Sequence, residues 1–451
     1  MEIFVLVPLI LIITFVMGLL FKRIGFPTVV GQILAGILLG IPFLKGVLFD
    51  TDSSLVVLDF LAYLGIVFLL FLAGLEIDIE KIRETSRESL LISLSSALLP
   101  FAAGFTFMML VFPSYGWLTA LVFGGALMVT SEATKVKVLM DLNSLNTHLG
   151  AIMLAAGALD DVFEVLFLAL VAVLGRGGGL VELAVIPVEM VIFVVIAFAF
   201  FKVASRVLRY LGRGGGNEAE IFSLVVIFIM VLAALSESLG IGYLIGAIAG
   251  GFILQIAMRN INEQHRKDMV KVTELIALGF IVPFFFANVG INFDSSTLFS
   301  SLALLIATVL IAFTGKIFGC LLIKPFSRLE MKQLYYTGWA MNSRGAAELV
   351  IALAAKQFGL IPLEVFSALV AMSLITTLTF PPILARGIRK NPGPIFIIIK
   401  NFRSYFPNVS KYFSSYLLSI SITFSPNPSL LDKSFSSFSC RIFKYPVPGK
   451  L

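Results

Sequence analysis

The strongest constraint on this chain is a repeated pattern of apolar runs, each of a length that crosses a membrane as a helix. The first run covers residues 3–21, and charged or Gly/Pro breaks separate the runs. About 20 apolar residues in helical form span the hydrocarbon core of a bilayer. The chain is 59% hydrophobic and only 13% charged, whereas soluble domains are about 25% charged. The sequence therefore predicts an all-α polytopic membrane protein.

Counting these runs predicts about 13 transmembrane helices. The predicted spans are 3–21, 28–48, 57–77, 89–112, 117–140, 147–174, 180–207, 219–239, 241–258, 271–293, 297–322, 332–357 and 364–386. The apolar run at residues 3–21 is interpreted as a retained span and not as a signal peptide, because the basic residues follow it instead of preceding it.

Basic residues predict the orientation of these spans. If the loops alternate between the two sides, one side receives 21 Lys and Arg residues, Lys135 among them, and the other receives only Lys45, Arg176 and Lys356. Loops rich in Lys and Arg stay in the cytoplasm. We therefore expect an integral protein of a prokaryotic inner or plasma membrane, with the N-terminus outside and the C-terminus cytoplasmic. The net charge of +6 then has a membrane explanation, and no nucleic-acid partner is expected.

Residues 391–451 differ in composition from residues 1–390. They are rich in Ser, Phe and Pro and lack helical periodicity, so we expect a poorly ordered tail after a membrane domain of residues 1–390. No Gly-x-Gly-x-x-Gly follows a predicted strand, and a nucleotide-binding domain is not expected. Two cysteines and two histidines form neither a disulfide framework nor a metal-ligand cluster. The sequence predicts no cofactor.

Two predicted spans carry polar residues in their middle. Span 5 contains VTSEATK (residues 129–135), and span 12 contains MNSRGAAE (residues 341–348). With six spans on each side of span 7, both interruptions fall at position 5 of their half. Interrupted helices at corresponding positions of two halves indicate a transport site near the middle of the membrane.

Asp160 and Asp161 lie side by side inside predicted span 6. A helix N-cap or a water-filled vestibule also accommodates such residues, but residues 147–159 precede them in the span and argue against a cap. Carboxylates inside a membrane are costly and usually functional. Such a group can carry a proton or, when ionised, bind a small cation. Glu164, one turn after Asp160, either extends a proton path or faces a loop.

Lys316 lies inside predicted span 11, in its cytoplasmic part. Its side chain can snorkel to the interface, because the span ends only about 9 Å away at 1.5 Å per residue. A lysine that stays buried needs a counter-ion, and the Asp160–Asp161 pair supplies a candidate. The sequence favours this ion pair and keeps snorkelling as the alternative.

Hydroxyl groups mark the expected break in span 5. Thr130 and Ser131 can ligate Na⁺ or stabilise the half-helix ends, and either can equally bond back to its own helix. Glu132 follows them directly. It can offset Arg344 or Lys135, and the sequence does not decide between these two partners.

The break in span 12 holds a second polar group. Arg344 and Glu348 are four residues apart and can pair within one helix. Asn342 and Ser343 add polar side chains at the same level. We expect these four residues to support the broken helix, with direct contact to an ion as the alternative for Arg344 and Glu348.

Eight segments of the chain together resemble the monovalent cation:proton antiporter-2 family, whose members include sodium/proton antiporters. They occur in order and cover residues 1–390. The segments are GFPTVVGQILAGILLG, LFLAGLEID, VTSEATKVKVLMDLN, GALDDV, LGIGYLIGAIAGGFIL, PFFFANVGINFD, AFTGKIFG around Lys316, and NSRGAAELVIA.

The resemblance implies a homodimer whose protomers combine a dimerisation (panel) domain with a core domain, interleaved in sequence. It implies two inverted-topology repeats with crossed, discontinuous helices at spans 5 and 12, and elevator-type alternating access. Asp161 would be the main carrier of Na⁺ and H⁺, with Asp160 contributing to the Na⁺ site and pairing with Lys316 when no ion is bound. An Asp-Asp site with a lysine resembles the electrogenic members. Ser343 departs from the pattern, because some relatives have proline there.

The leading interpretation is therefore an antiporter, not an enzyme, that exchanges Na⁺ or Li⁺ for H⁺. The first alternative is a K⁺/H⁺ antiporter or K⁺ efflux system on the same fold, because selectivity depends on site size and hydration. A sodium-coupled organic solute symporter is a further alternative. It would need a roomy polar cavity, and the sequence contains no additional polar cluster to line one.

Overall fold

A computed structural model of the chain describes residues 3–49, 52–76, 86–141, 144, 147–175, 188–189, 191–193, 195–203, 206, 218–240, 242–258 and 263–390. The predicted tail, residues 391–451, and parts of predicted span 7, residues 180–207, lie outside these described residues. Helices joined by short turns make up the described part of the chain.

The helices of the described residues occur in the following order along the chain. They are α1 (Ile3–Arg23), α2 (Thr28–Leu39), α3 (Pro42–Leu48), α4 (Asp52–Glu76), α5 (Arg87–Val111), α6 (Gly116–Met128), α7 (Glu132–Asp141), α8 (His148–Leu174), α9 (Glu218–Ser238), α10 (Tyr243–Met258), α11 (Glu263–Ile276), α12 (Val282–Ile291), α13 (Ser295–Ser300), α14 (Leu302–Leu322), α15 (Met331–Ala340), α16 (Ala346–Gln357) and α17 (Leu363–Lys390). A π-helical turn, Ala277–Ile281, joins α11 to α12.

Six helices of the described residues are long and apolar enough to cross a membrane, and the bent pair α2 and α3 adds a seventh span if it is counted as one. Helix α8 has 27 residues but is not among those six, because it carries three acidic residues, Asp160, Asp161 and Glu164. The chain is thus an all-helical integral membrane protein with several apolar spans. The larger count of 13 stays a prediction.

Predicted span 28–48 is not one continuous helix. α2 and α3 meet at an angle of 81°, and Pro42 occupies the first position of α3. Proline has no N–H to continue the hydrogen bonding of α2, and its ring suits the first turn of a new helix. The apolar pattern hid this bend because it continues through both helices.

Predicted spans 5 and 12 are both interrupted in the structure. Residues 129–131 separate α6 from α7, and residues 341–345 separate α15 from α16. The two non-helical segments touch, because the Ser131 N–H donates a hydrogen bond to the Ser343 carbonyl at 2.8 Å. The interruptions therefore bring four half-helix ends to one place.

Glycines allow some helices to pack with their backbones in contact. A Cβ atom at Gly36 of α2 would lie 2.9 Å from the Cα of Ala287 in α12, and one at Gly315 of α14 would lie 2.8 Å from the Cα of Pro100 in α5. Such small residues are typical of close helix pairs in membranes. The second contact matters most here, because α5 also packs against α6 and α8 and so draws α14 toward both.

Candidate functional site

Asp160 lies in the middle of α8 and is buried among polar side chains from three other segments. Ser93 Oγ donates a hydrogen bond to Asp160 Oδ1 at 2.5 Å, and Thr130 Oγ1 donates one to Oδ2 at 2.8 Å. Lys316 Nζ lies 3.6 Å from the same Oδ2. Both carboxylate oxygens therefore accept hydrogen bonds, and an ammonium group offsets the charge, as burial of a carboxylate requires.

Lys316 does not snorkel to the membrane surface, because its side chain is 0% exposed within α14. Its Nζ donates hydrogen bonds to Thr130 Oγ1 at 2.6 Å and to the Met128 carbonyl. Met128 ends α6, where backbone carbonyls lack helical partners and attract cations. The snorkelling alternative is therefore wrong, and Asp160 is the acidic residue that the structure places beside Lys316.

Thr130 joins these two charged groups. Its hydroxyl accepts the hydrogen bond from Lys316 and donates to Asp160, and it lies 3.2 Å from the Met341 carbonyl. A hydroxyl has a single proton to donate, so the shorter contact to Asp160 is the donor bond. Because Thr130 lies between two half-helices, its side chain bonds across the site instead of back to its own helix.

Ser131 and Ser343 fasten the two helix interruptions to each other. In addition to the backbone bond between them, Ser343 Oγ donates to the Ser131 carbonyl at 2.9 Å. Gly345 makes this approach possible, because a Cβ atom there would overlap the Ser131 side chain. These contacts stabilise the backbone where helical hydrogen bonding stops.

Arg344 is fully buried and covers the C-terminal end of α6. Its guanidinium donates to the carbonyls of Ala126 at 3.1 Å, Leu127 at 2.8 Å and Val129 at 2.5 Å. Its Nη1 also lies 3.2 Å from Glu348 Oε2. The guanidinium thus satisfies carbonyls that the helix end leaves unpaired, while Glu348 offsets its charge.

The remaining polar residues of the interruptions also lie at helix ends. Asn342 Nδ2 donates to the Gly338 carbonyl at 3.0 Å, in the last turn of α15. Glu132 and Glu348 occupy the first turns of α7 and α16. Carboxylates at helix N-termini and cations at C-termini are both favourable, so this arrangement stabilises all four half-helix ends.

Asp161 faces a cavity and not the cluster around Asp160. The cavity has a volume of about 350 Å³, and Asp161 is partly exposed to it. The polar residues that line it are Glu76, Thr130, Ser131, Glu132, Asp161, Glu164, Glu274, Arg344, Ser373 and Thr377. Acidic side chains outnumber the single arginine, so the cavity attracts cations. In the described ranges, no three or more Asp, Glu, His or Cys residues are arranged to hold a metal ion.

Lys135 lies in a different place from the one that the sequence predicts. The charge pattern put it among the cytoplasmic loop lysines, but it is fully buried in α7. Its Nζ lies 2.7 Å from Glu132 Oε2 and 3.8 Å from Met341 Sδ. Of the two partners left open for Glu132, the structure places Lys135 beside it. The loop assignment was wrong because α7 packs against α8 along this face.

Ser93 was missed by the sequence reasoning, although it donates one of the two hydroxyl bonds to Asp160. Ser89, Ser93 and Ser96 are all buried and recur every three or four residues along α5, which marks one face of the helix. Serines in membrane helices commonly bond to their own backbone, as Ser96 Oγ does with the Ser93 carbonyl at 3.3 Å. The spacing could have identified the face but not its partner.

Comparisons with known proteins show which family the chain belongs to. The model of the transmembrane sodium/hydrogen exchanger family matches residues 10–386. The chain is 31% identical over 384 residues to the Na⁺/H⁺-K⁺ antiporter GerN of Bacillus cereus, covering 85% of this chain and 95% of GerN. It is 28% identical over 402 residues to a Na⁺/H⁺ antiporter of Enterococcus hirae, covering 86% and 99%.

A solved structure shares the fold. The sodium proton antiporter MjNhaP1 from Methanocaldococcus jannaschii, determined at pH 8, superposes with a TM-score of 0.60 at 17% identity, covering 85% of this chain and 95% of that one.

A helical membrane fold with buried ion pairs beside an acidic cavity defines an ion transporter, not an enzyme. The chain belongs to the sodium/hydrogen exchanger family and is a monovalent cation/proton antiporter. This assignment excludes the organic solute symporter that the sequence left as an alternative.

Proposed function

We propose that the protein exchanges Na⁺ or Li⁺ for H⁺, and that it does so electrogenically as a member of the antiporter-2 subgroup. One observation carries the proposal: Asp161 opens to an acidic cavity, while its neighbour Asp160 is sealed beside Lys316. This arrangement supports an Asp-Asp site with a lysine partner, in which one carboxylate exchanges ions and its neighbour in sequence pairs with the lysine.

In this proposal Asp161 is the main carrier of the cation and the proton. Moving an uncompensated carboxylate through a low-dielectric region is costly, and a bound cation or proton removes most of that cost. The loaded site therefore changes its accessibility more easily than the empty site. This preference couples the flux of one ion to the flux of the other.

Asp160 contributes to the Na⁺ site by exchanging partners. A cation that reaches Asp160 competes with Lys316, because both are positive and both approach the same carboxylate oxygen. Thr130 bonds to both Asp160 and Lys316, so its hydroxyl can rearrange its hydrogen bonds as the two charged groups exchange partners. A lysine that gains and loses its counter-ion during the cycle adds a charge movement, and this supports electrogenic exchange.

The proposed architecture has more membrane spans than the six or seven apolar ones described above. It has 13 transmembrane helices in two inverted-topology repeats, with crossed helices at the two interruptions, and it works by elevator-type alternating access. The contact between Ser131 and Ser343 supports the crossing. A homodimer of panel and core domains, an external N-terminus and a cytoplasmic C-terminus in a prokaryotic membrane complete the proposal.

Exchange of K⁺ is the second candidate, on the same fold and with the same residues. The observation that favours it is the name of GerN, the relative at 31% identity, which includes both Na⁺ and K⁺. Carboxylate and hydroxyl oxygens bind either ion, and selectivity depends on how the ion's hydration shell is replaced.

The test is proton flux in proteoliposomes that carry a pH gradient. Addition of Na⁺, Li⁺ or K⁺ in turn should dissipate the gradient for at least one ion, and Na⁺ or Li⁺ should be the more effective. An imposed membrane potential should change the rate if exchange is electrogenic. If none of the three ions produced a proton flux in correctly folded protein, the proposed function would be wrong.

A further inference from the structure

Glu132 and Lys135 form a third ion pair inside the protein, which the proposed transport cycle does not use. The side chain of Lys135 is 0% exposed, that of Glu132 is 18% exposed, and the charged atoms are 2.7 Å apart. A lysine without solvent contact depends on its counter-ion. Glu132, however, is not hidden with it, because Glu132 lines the same cavity as Asp161.

Gly157 shows how close this pair lies to Asp161. A Cβ atom at Gly157 would overlap both Glu132 Oε2 and Lys135 Nζ, so the two charged groups rest directly on the backbone of α8. Gly157 and Asp161 are four residues apart, on the same face of the helix and about 6 Å along its axis. The carboxylate of Glu132 is thus about one helical turn from Asp161.

A cation in the cavity would experience the charges of both carboxylates. Glu132 and Lys135 are also among the charged groups that act on Asp161. An ionised carboxylate offers about four lone-pair positions, and the side chain of Glu132 is 18% exposed and lines the cavity. The ammonium nevertheless cancels most of the field that a cation would otherwise experience from this carboxylate.

We propose that Glu132 is a second cation-binding carboxylate of the transport cavity, and that Lys135 is a positioning residue that limits its affinity. This inference rests on the proposed role of Asp161. A transport site must bind its ion strongly enough to load and weakly enough to release it. Two unopposed carboxylates would favour loading at the expense of release, and the tethered ammonium of Lys135 prevents this.

Lys135→Met alone and Lys135→Met combined with Glu132→Gln should change the KM for the transported cation in opposite directions. Lys135→Met removes the ammonium and keeps an apolar side chain of similar length. It should lower the KM for the transported cation about tenfold, as loss of an opposing charge at this range implies, and also lower kcat because release slows. Adding Glu132→Gln should raise the KM again, at least to the wild-type value, and restore kcat.

Proton flux in proteoliposomes measures both constants over a range of Na⁺ or Li⁺ concentrations. Lys332→Met is the matched control, because this exposed lysine of α15 carries the same charge away from the cavity, and its KM should equal that of the wild type. Thermal unfolding and size-exclusion profiles confirm folding. Stabilisation by added Na⁺ or Li⁺ should also increase in Lys135→Met, because a ligand stabilises the folded state according to its affinity.

Two results would overturn the inference. One is a folded Lys135→Met protein whose KM stays within about twofold of wild type. The other is a double variant that keeps the KM of Lys135→Met, because Glu132 would then have no part in binding. Failure of the proposed function is distinguishable from both results, because it would appear as wild-type protein without exchange or as Asp161→Asn with full exchange.

Discussion

Asp160 and Asp161 are adjacent in the chain but lie in opposite environments. Asp160 is enclosed by the hydroxyl groups of Ser93 and Thr130 and by the ammonium of Lys316, whereas Asp161 faces the acidic cavity. Neighbouring positions on a helix point about 100° apart, so one short sequence serves two sides of α8. The comparison separates a carboxylate with an internal partner from one whose partner must come from outside.

This difference has an electrostatic consequence. The Asp160 cluster is close to neutral by itself, because its lysine is built into the protein. Asp161 has acidic neighbours in the cavity, and one of them, Glu132, is paired with Lys135. In the proposed function its charge is offset by an ion or a proton that arrives and leaves, so Asp161 is the proposed exchangeable member of the pair.

Neutralising each aspartate in turn tests the comparison most strongly. Asp161→Asn should abolish cation-dependent proton flux, because the amide can carry neither ion, and its thermal stability should stay near that of the wild type. Asp160→Asn should instead destabilise the folded protein by about 3 kcal/mol, because Lys316 is left buried without its counter-ion. Proteoliposome flux and unfolding in detergent measure the two effects.

If Asp160→Asn and Asp161→Asn behaved alike, the proposed difference between the two aspartates would be wrong. Equal losses of stability would mean that Asp161 also has an internal partner. Full exchange by Asp161→Asn would remove it from the role of carrier. Glu364→Gln, in the first turn of α17, is the matched control for loss of one carboxylate.

Removing the built-in cation gives the next largest effect. Lys316→Gln should retain exchange, because Asp161 and its cavity are unchanged, but the rate should lose its response to membrane potential. The Gln amide can still donate to Thr130 or to the Met128 carbonyl, but Asp160 loses its counter-ion, so the loss of stability should be comparable with that of Asp160→Asn. Flux at several imposed potentials tests this expectation, with Lys332→Gln as the control. An unaltered voltage response would show that Lys316 does not contribute the charge movement.

The sequence predicted the charged groups of this site better than their neighbours. Asp160, Lys316 and Arg344 were identifiable because a charge inside an apolar run is costly and therefore informative. The division between Asp160 and Asp161 was not predictable from the residues alone, because it depends on which helices pack against each face of α8. Only the resemblance to the antiporter family pointed to it.

The helix interruptions show a similar limit. Their positions could be predicted from Thr130, Ser131 and the NSRG sequence, since polar residues replace the apolar run there. The role of Arg344 at the end of α6 could not, because it requires that the two interruptions meet in space. Lys135 was misassigned because a charge count has no information on which lysines fold inward.

Thr130 allows a finer test of the Asp160 cluster. Thr130→Val keeps the shape of the side chain but removes the hydroxyl that bonds to both Asp160 and Lys316, and it should cost about 2 kcal/mol of stability. Thr130→Ser should restore most of this loss. Thr308→Val is the control, because the Thr308 hydroxyl donates to the Leu304 carbonyl of its own helix at 2.6 Å. Similar losses for both valine variants would mean that the hydroxyl of Thr130 has no special partner.

Asp294 is a carboxylate outside the membrane helices. Of the substitutions considered, its replacement should have the smallest effect on stability. It is the N-cap of α13 and accepts bonds from the Ser296 N–H at 2.8 Å and from Ser296 Oγ at 2.6 Å. The Ser296 hydroxyl, followed by backbone N–H groups and Lys45, holds the pKa of Asp294 below its ordinary value. Asp294→Ala should cost about 1 kcal/mol of stability at neutral pH and leave transport unchanged.

The pH dependence of this cap follows from the direction of its pKa shift. Because the folded protein binds the proton of Asp294 less tightly than the unfolded chain does, the ionised cap stabilises folding above the unfolded pKa of about 3.9. That contribution is lost as the pH falls through the lower, folded value. The stability difference between wild type and Asp294→Asn, which keeps a capping oxygen, should therefore shrink below about pH 4. A difference that grew on acidification would mean that the hydrogen bonds from Ser296 do not favour the ionised form.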